Sequence, residues 1–419
     1  MSSRHPCSLR FLVACLTASS ACSGDLVVAD GIVPGTDDDT AELATARGGR
    51  LGAPLRNLTD AEKARFEAGL EEFSAIEDVD EGLGPVFNDA GCGVCHLAGA
   101  IGGASDRTVT RFGRVTNGAF DPLAGLGGSL IQANGIGPQP ATDVDGTSCD
   151  YVAETVPAEA NVQAHRLTTP LFGLGLVDAV PDETLEALAA WQQDNKPELA
   201  GIVNHVVDAA SGATRVGRFG WKAQVATLAV FSADAYLNEM GITSPLFPEE
   251  NCPQGDCDLL RCDPVPDPED DGEDVDKFED FMTLLAPPPP GELSDAVIAG
   301  AEVFLRSGCA TCHTPILETG PSEVSALSER RFRPFSDFLL HDMGALGDGI
   351  VQGNATGRLM RTAPLWGLSA RTRFLHDGRA TTIGDAIRAH DGQGARASSR
   401  FRSLGYRDAR DLFAFLLAL

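Results

Sequence analysis

Cys309-Ala-Thr-Cys312-His313, with Leu375-His-Asp-Gly378 and His390 downstream, is the stretch from which the rest of the chain is read. Two cysteines separated by two residues and followed at once by histidine form the attachment signature of a c-type haem. The short spacer lets both thiols reach one porphyrin edge as thioethers, and the adjacent histidine lies under the iron as its proximal ligand. The signature recurs as Cys92-Gly-Val-Cys95-His96. Each copy follows a glycine and has a phenylalanine five residues before its first cysteine, Phe87 and Phe304. A pair of structural zinc sites would need further closely spaced ligands beside each motif, and the sequence has none there. The expectation is therefore two covalently attached haem c groups on Cys92, Cys95, Cys309 and Cys312, with His96 and His313 on the irons.

The surroundings of the two motifs repeat. Thr59 is placed to cap a helix running to about residue 76, with Phe66, Leu70 and Phe73 at helical spacing. A Gly-rich passage leads to Cys92, residues 97–164 read mostly as loop, and residues 182–195 read as helix. In the second half Ser294 caps a helix through Leu305, Cys309 follows, and residues 408–419 form a closing apolar helix. Thr168-Thr-Pro-Leu-Phe-Gly-Leu174 parallels Thr362-Ala-Pro-Leu-Trp-Gly-Leu368, an internal repeat that points to duplication. The fold class expected is mainly α. It comprises two cytochrome c-like haem domains, 59–200 and 293–419, joined by an irregular, disulfide-containing inter-domain segment, 201–292. Within that segment Gly217-Arg-Phe-Gly-Trp-Lys222 leads into a helix to Met240. The acidic run 263–280 could supply oxygen ligands for calcium, but it lacks EF-hand spacing and reads as a solvated linker.

Of 419 residues, 60 are acidic and 32 basic, a net charge of −28. That balance argues against nucleic acid as a partner. It favours a neutral substrate or a redox partner protein, a small cytochrome or cupredoxin. Residues 1–22 read as an export signal: Arg4, His5 and Arg10 precede an apolar core, and small residues lead to Cys22. Cys22 is either a lipid-anchored residue after lipoprotein processing or follows plain cleavage, with residues 23–58 as a flexible tether. The location expected is periplasmic or anchored to the outer membrane of a bacterial cell, with the membrane engaged only through that lipid. Four cysteines remain after the leader and the haem motifs: Cys149, Cys252, Cys257 and Cys262. In an oxidising compartment they read as two structural disulfides with three possible pairings.

With these pieces in view the chain resembles the diheme bacterial cytochrome c peroxidases. More closely it resembles the branch labelled di-haem oxidoreductase, putative peroxidase, also called thiol oxidoreductase. The matching residues are Gly84-Pro-Val-Phe-Asn88, Thr110-Arg-Phe-Gly-Arg114, Pro170 to Leu176, Gly217 to Trp221, Gly241 to Pro248, Leu340-His-Asp-Met-Gly344 and Arg361 to Asp391. The resemblance implies that His390, fourteen residues after His376, stands where the far-side ligand of the second haem belongs. The relatives usually carry methionine there. A bis-His haem on His313 and His390 follows as the expectation, with Met343 as the other candidate and His376 in a supporting role. Nitrogen in place of thioether lowers the potential and closes the iron to substrate.

The first haem differs. The relatives place a far-side histidine soon after this CxxCH, but residues 97–164 contain neither His nor Met. His165 and His205 lie farther along, and the inter-haem tryptophan of those enzymes has no match in that loop. An open first iron is expected, with Glu154, Gln132 and Arg111 as candidates for proton transfer and O–O cleavage. Arg111, Arg114 and Arg218 are alternatively propionate partners. The functional expectation is a peroxidase-like diheme oxidoreductase passing electrons from the second haem to the first. The alternative is a pure electron-transfer cytochrome with no substrate site.

Overall fold

A computed structural model describes residues 49–141 and 146–419. The export signal, Cys22 and residues 23–48 of the expected tether lie outside the described residues. The fold is mixed, 36% helical and 17% strand, which corrects the mainly α expectation.

Each half is built on a crossed helix pair. In the second half α6 (Asp295–Ser307) crosses α9 (Tyr406–Leu417). Ser294 caps α6 as the sequence suggests, its Oγ accepting from Val297 N at 3.4 Å. Phe304 meets Phe415 with ring centres 5.3 Å apart. A Cβ on Gly300 would fall 2.0 Å from the Asp411 carbonyl, so the two backbones approach as closely as they do only because position 300 has no side chain.

In the first half α1 (Asp60–Phe73) starts at a reciprocal cap between Thr59 and Glu62. The helix that crosses it is α5 (Glu273–Leu284), whereas the sequence suggested residues 182–195 for that role. Phe73 and Phe66 stack on Phe281 at 4.7 and 5.5 Å, and a Cβ on Gly69 would lie 2.3 Å from the Lys277 carbonyl. The two crossings thus share one pattern, Gly69-x-x-x-Phe73 and Gly300-x-x-x-Phe304. The acidic run is therefore not wholly a linker. Its C-terminal part is an amphipathic helix whose Val275, Phe278, Phe281 and Met282 are buried while Glu273 and Asp276 are exposed. The end of the expected tether is also fixed. Leu55 and Leu58 are buried, Leu55 N donates to Leu284 O at 2.8 Å, and Ala286 N donates to Ala53 O at 3.0 Å.

Residues 97–164 are not mostly loop. Thr108-Val-Thr-Arg-Phe-Gly-Arg-Val-Thr116 is rich in β-branched residues and forms the long strand β1. It pairs antiparallel with β2 (Ala119–Asp121), β3 (Leu130–Ile131) and β4 (Val162–Leu167). Further on, α2 (Leu174–Asp178) and α3 (Asp182–Asn195) follow the first copy of the repeat, and α4 (Leu228–Ala235) runs into a π-turn, Tyr236–Met240. The repeat itself is conformational: Gly173 and Gly367 have φ of +71° and +70°. A Cβ on Gly173 would sit 2.9 Å from Trp366, so the two copies also pack on each other. The four remaining cysteines pair as Cys149–Cys262 and Cys252–Cys257. Among the described residues no helix is long and apolar enough to cross a membrane.

Candidate haem sites

The second CxxCH opens into an apolar cavity with about 220 Å³ available to water centres. α6 supplies Phe304, α7 (Ile383–Ala389) supplies Ile383 and Ile387, and α9 supplies Leu412 and Leu416. Cys309, Cys312, His313 and His390 all line it. The cysteines are free thiols, and burial pushes Cys309 up to about 12. The two imidazoles face each other with centres 6.4 Å apart. His313 Nδ1 lies 2.9 Å from Phe335 O, and His390 Nδ1 lies 2.8 Å from Ala386 O. These contacts fix the N–H on Nδ1 and leave both Nε2 atoms to bind a metal. An iron–nitrogen bond of about 2 Å on each side, plus about 1.1 Å from nitrogen to ring centre, puts two axial imidazoles roughly 6.3 Å apart. The observed separation fits one iron between them. Burial, reinforced by His390, lowers His313 to about 4, and burial lowers His390, so both rings are neutral at pH 7.

The charges at this cavity also suit haem. Burial pulls Arg361 and Arg371 down to about 10, and for Arg371 burial is the whole cause. Two buried guanidinium groups beside an apolar cavity are natural partners for carboxylates on a bound group. Sequence reading offered Arg111, Arg114 and Arg218 as propionate partners. Two of these are engaged elsewhere: Arg114 pairs with Asp121 at 2.7 Å, and Arg218 pairs with Asp182 and donates to the Val177 and Asp178 carbonyls at the end of α2. Met343 and His376 line the same cavity. His376 is buried, its carbonyl accepts from Leu167 N at 2.6 Å, and Trp221 stands edge-on to its ring at 6.2 Å. Behind Cys312 lies a group that sequence reading missed. His341 Nε2 is 2.9 Å from Asp337 Oδ2, which also accepts from Gln192 Nε2 at 2.8 Å. Burial works against the charge on His341, but Asp337 raises it well above its ordinary value.

At the first CxxCH, residues 92–95 form a single helical turn, His96 Nδ1 lies 3.1 Å from Gly103 O, and the Thr169 carbonyl also accepts from the ring. Burial lowers His96 to about 4 and pushes the Cys92 and Cys95 thiols up to about 12 and 11. The aromatic ring against His96 is Phe73 of α1 at 5.8 Å, the counterpart of Phe304 against His313 at 6.5 Å. Phe87, matched to Phe304 in the sequence, instead sits in a short strand paired with Asn134.

The polar groups around this site come from three separate parts of the chain. Glu239, in the π-turn, is half-buried. Burial raises it to about 7 against the opposing pull of Arg111 and of Asn88, whose Nδ2 donates at 2.9 Å. Its charge acts on both Cys92 and Cys95, and the adjacent Met240 puts Sδ 3.9 Å from Cys92 Sγ. Arg111 on β1 is pulled down to about 10 by burial, and its Nε is buried without a partner. Gln132 Oε1 is likewise buried and unpartnered. Glu154 differs from both, because its two oxygens accept from the backbone N–H groups of Gln132 and Gln254 at 2.8 and 2.5 Å. It clamps two loops. His165 pairs with Thr110 at 3.3 Å, and His205 pairs with Glu186 at 3.1 Å, both at the exposed surface.

Two CxxCH motifs with paired thiols and an imidazole each, one of them on an apolar cavity flanked by buried cations, suit a di-haem protein. The chain belongs to the di-haem oxidoreductase, putative peroxidase family, whose model matches residues 142–419. The first CxxCH lies upstream of the matched residues. No curated protein matches the chain. Among solved structures it is similar to a MauG-like protein associated with microbial copper homeostasis, at 13% identity and a TM-score of 0.36, covering 89% of this chain and 91% of that one. It is also similar to hydrazine synthase of Kuenenia stuttgartiensis, at 15% identity and a TM-score of 0.31, covering 61% and 73%.

Proposed function

We propose that the chain is an exported, peroxidase-like di-haem c-type oxidoreductase, with a second site closed by His313 and His390 and a first site open to an oxidant. The observation that carries this reading is asymmetry. His313 has an imidazole 6.4 Å away, whereas the ring against His96 is Phe73 and a charge acting on Cys92 and Cys95 is that of Glu239. Haem, when bound through Cys92/Cys95 and Cys309/Cys312, supplies one-electron exchange at iron.

His313 and His390 would hold the second haem, and a nitrogen from each would exclude an oxidant and favour a low potential. His96 would hold the first. Glu239, with a pKa near neutrality, holds or takes up a proton at its carboxylate, Arg111 attracts developing negative charge, and Gln132 Oε1 accepts a hydrogen bond. A small cytochrome or cupredoxin is the electron donor expected at the His313/His390 site. The two crossed helix pairs are the frames of two cytochrome c-like units. The first takes α5 from the 201–292 segment, and the disulfide-bonded loops are an insertion within it. Residues 1–22 direct export to the periplasm, with Cys22 as the lipid anchor where the leader is processed as a lipoprotein.

The test is the optical and EPR spectrum of the ferric holoprotein with and without cyanide. One high-spin haem that binds cyanide, beside one low-spin haem that does not, is expected. Two low-spin haems inert to cyanide would replace this reading with the electron-transfer cytochrome.

A further inference from the structure

Away from both haem sites, four carboxylates converge: Glu250, Asp263, Asp267 and Glu269 each offer an oxygen, all within 4.8 Å of one another. Glu250 comes from the loop before Cys252, and the other three directly follow Cys262. The Cys252–Cys257 and Cys149–Cys262 disulfides thus fix both strands of chain that bring the carboxylates together.

Glu250 distinguishes this group from an ordinary acidic surface. The residue is only 7% exposed. One of its oxygens accepts from Asn251 N at 2.7 Å, while Oε2 is fully buried and without a partner. Glu269 repeats the pattern. Its Oε2 accepts from Thr243 N at 2.8 Å, and its Oε1 is buried and unpartnered. The charges that dominate the surroundings of Glu250 are Glu269, Asp263 and Asp267, all of its own sign. Buried carboxylate oxygens with no donor and only like charges beside them are strongly unfavourable unless a cation joins them.

We infer that Glu250, Asp263, Asp267 and Glu269 form a binding site for a calcium-class divalent cation. Oxygen-only ligation selects a hard cation over zinc or copper. Calcium takes six to eight oxygen ligands, and four convergent carboxylates supply a large part of such a shell. Magnesium usually keeps several waters and takes only one or two carboxylates. Thr243 Oγ1 lies 3.3 Å from Asp267 Oδ1 and also donates to Glu269, so it holds two ligands in place from outside the ring. Thr243 stands three residues after Met240. The bound cation therefore anchors the far end of the segment that carries Glu239 and Met240 to the first haem site. The site has no EF-hand spacing because its ligands come from two loops locked by disulfides rather than from one.

The test uses the purified holoprotein after dialysis against EGTA. Calcium uptake by calorimetry and elemental analysis should give one equivalent that is lost in the Glu250→Gln/Asp263→Asn variant, with haem absorption unchanged. Thermal denaturation of the parent should shift upward by a few degrees with 1 mM calcium. Because Glu250 is buried and its variant could fail to fold, Asp267→Asn at the exposed edge provides a second test. It should weaken calcium binding at least about tenfold while melting like the parent in EGTA. No uptake by the parent, or uptake of equal stoichiometry and affinity in every variant, overturns the site. Equal affinity for magnesium overturns its assignment to calcium.

Discussion

Asp348→Ala should destabilise the protein severely, because Asp348 neutralises two buried cations from different parts of the chain. Its Oδ2 accepts from Arg166 Nε at 2.9 Å and lies 2.7 Å from Arg166 Nη2, and its Oδ1 lies 2.8 Å from Lys222 Nζ. Side-chain exposures are 5% for Arg166 and 0% for the other two, so water cannot take over. Truncating one member of such a group costs about 3–5 kcal/mol, since the remaining charges stay buried. Unfolding entropy of about 2.1 cal/mol/K per residue, over roughly 370 described residues, gives about 0.8 kcal/mol/K. The expected fall in Tm is therefore about 4–6 °C, read by calorimetry at equal haem content. Burial already lowers Lys222 to about 8 with Asp348 opposing that shift, so losing Asp348 lowers it further. A lysine whose folded pKa lies below its unfolded value binds fewer protons when folded, and stability rises with pH between the two values. The loss should therefore be larger at pH 6 than at pH 9. A fall below about 1 °C, or an equal fall at both pH values, refutes the role given to Asp348.

His390→Met should keep the second haem low-spin but raise its potential, since axial and environmental differences spread haem potentials over roughly 0.8 V; an unchanged redox titration would remove His390 from the iron. Burial raises Glu239 to about 7, so its base form grows as pH rises through neutrality. Peroxide turnover should climb between pH 6 and 8 in the parent and be flat and lower in Glu239→Gln, whereas matching profiles would exclude Glu239 from proton transfer. Cys95→Ala and Cys312→Ala should each leave one haem weakly held, and intact mass should show two haems on the parent; one or none would end the di-haem reading.

The parts of the fold legible in the sequence are those where local chemistry alone dictates structure. CxxCH spacing, the Thr59 and Ser294 caps and the apolar stripe of α9 depend on near neighbours. The α5 helix was hidden because ten acidic residues between 263 and 280 dominate any reading by composition. Yet Val275, Phe278, Phe281 and Met282 keep a helical period beneath that charge, and the Gly-x-x-x-Phe pattern of α1 and α6 signals two similar crossings. Strand β1 was lost among glycines and prolines although its own nine residues are strongly β-forming. Glu239 meets Arg111 and Gln132 only through the sheet and the π-turn, more than a hundred residues from either in sequence, and no spacing rule reaches that far. Arg361 and Arg371 were equally illegible as cofactor partners, because what marks them is burial.

The two halves differ where duplication leaves freedom to differ. The proximal side of each site is held by repeated features: a crossing glycine, a phenylalanine against the imidazole, and a carbonyl on Nδ1. Changing any one of these disturbs helix packing as well as the site, so both copies keep them. The far side carries no such burden. In the second half it is the end of α7, whose last turn fixes His390 Nδ1 on Ala386 O and aims Nε2 inward. In the first half it is the π-turn after α4. A π-turn inserts a residue into the helical register and redirects the side chains that follow. That turn carries a carboxylate, Glu239, where α7 ends in an imidazole. Under the proposed function, a closed site and an open site stand on one repeated frame and differ in a single wall.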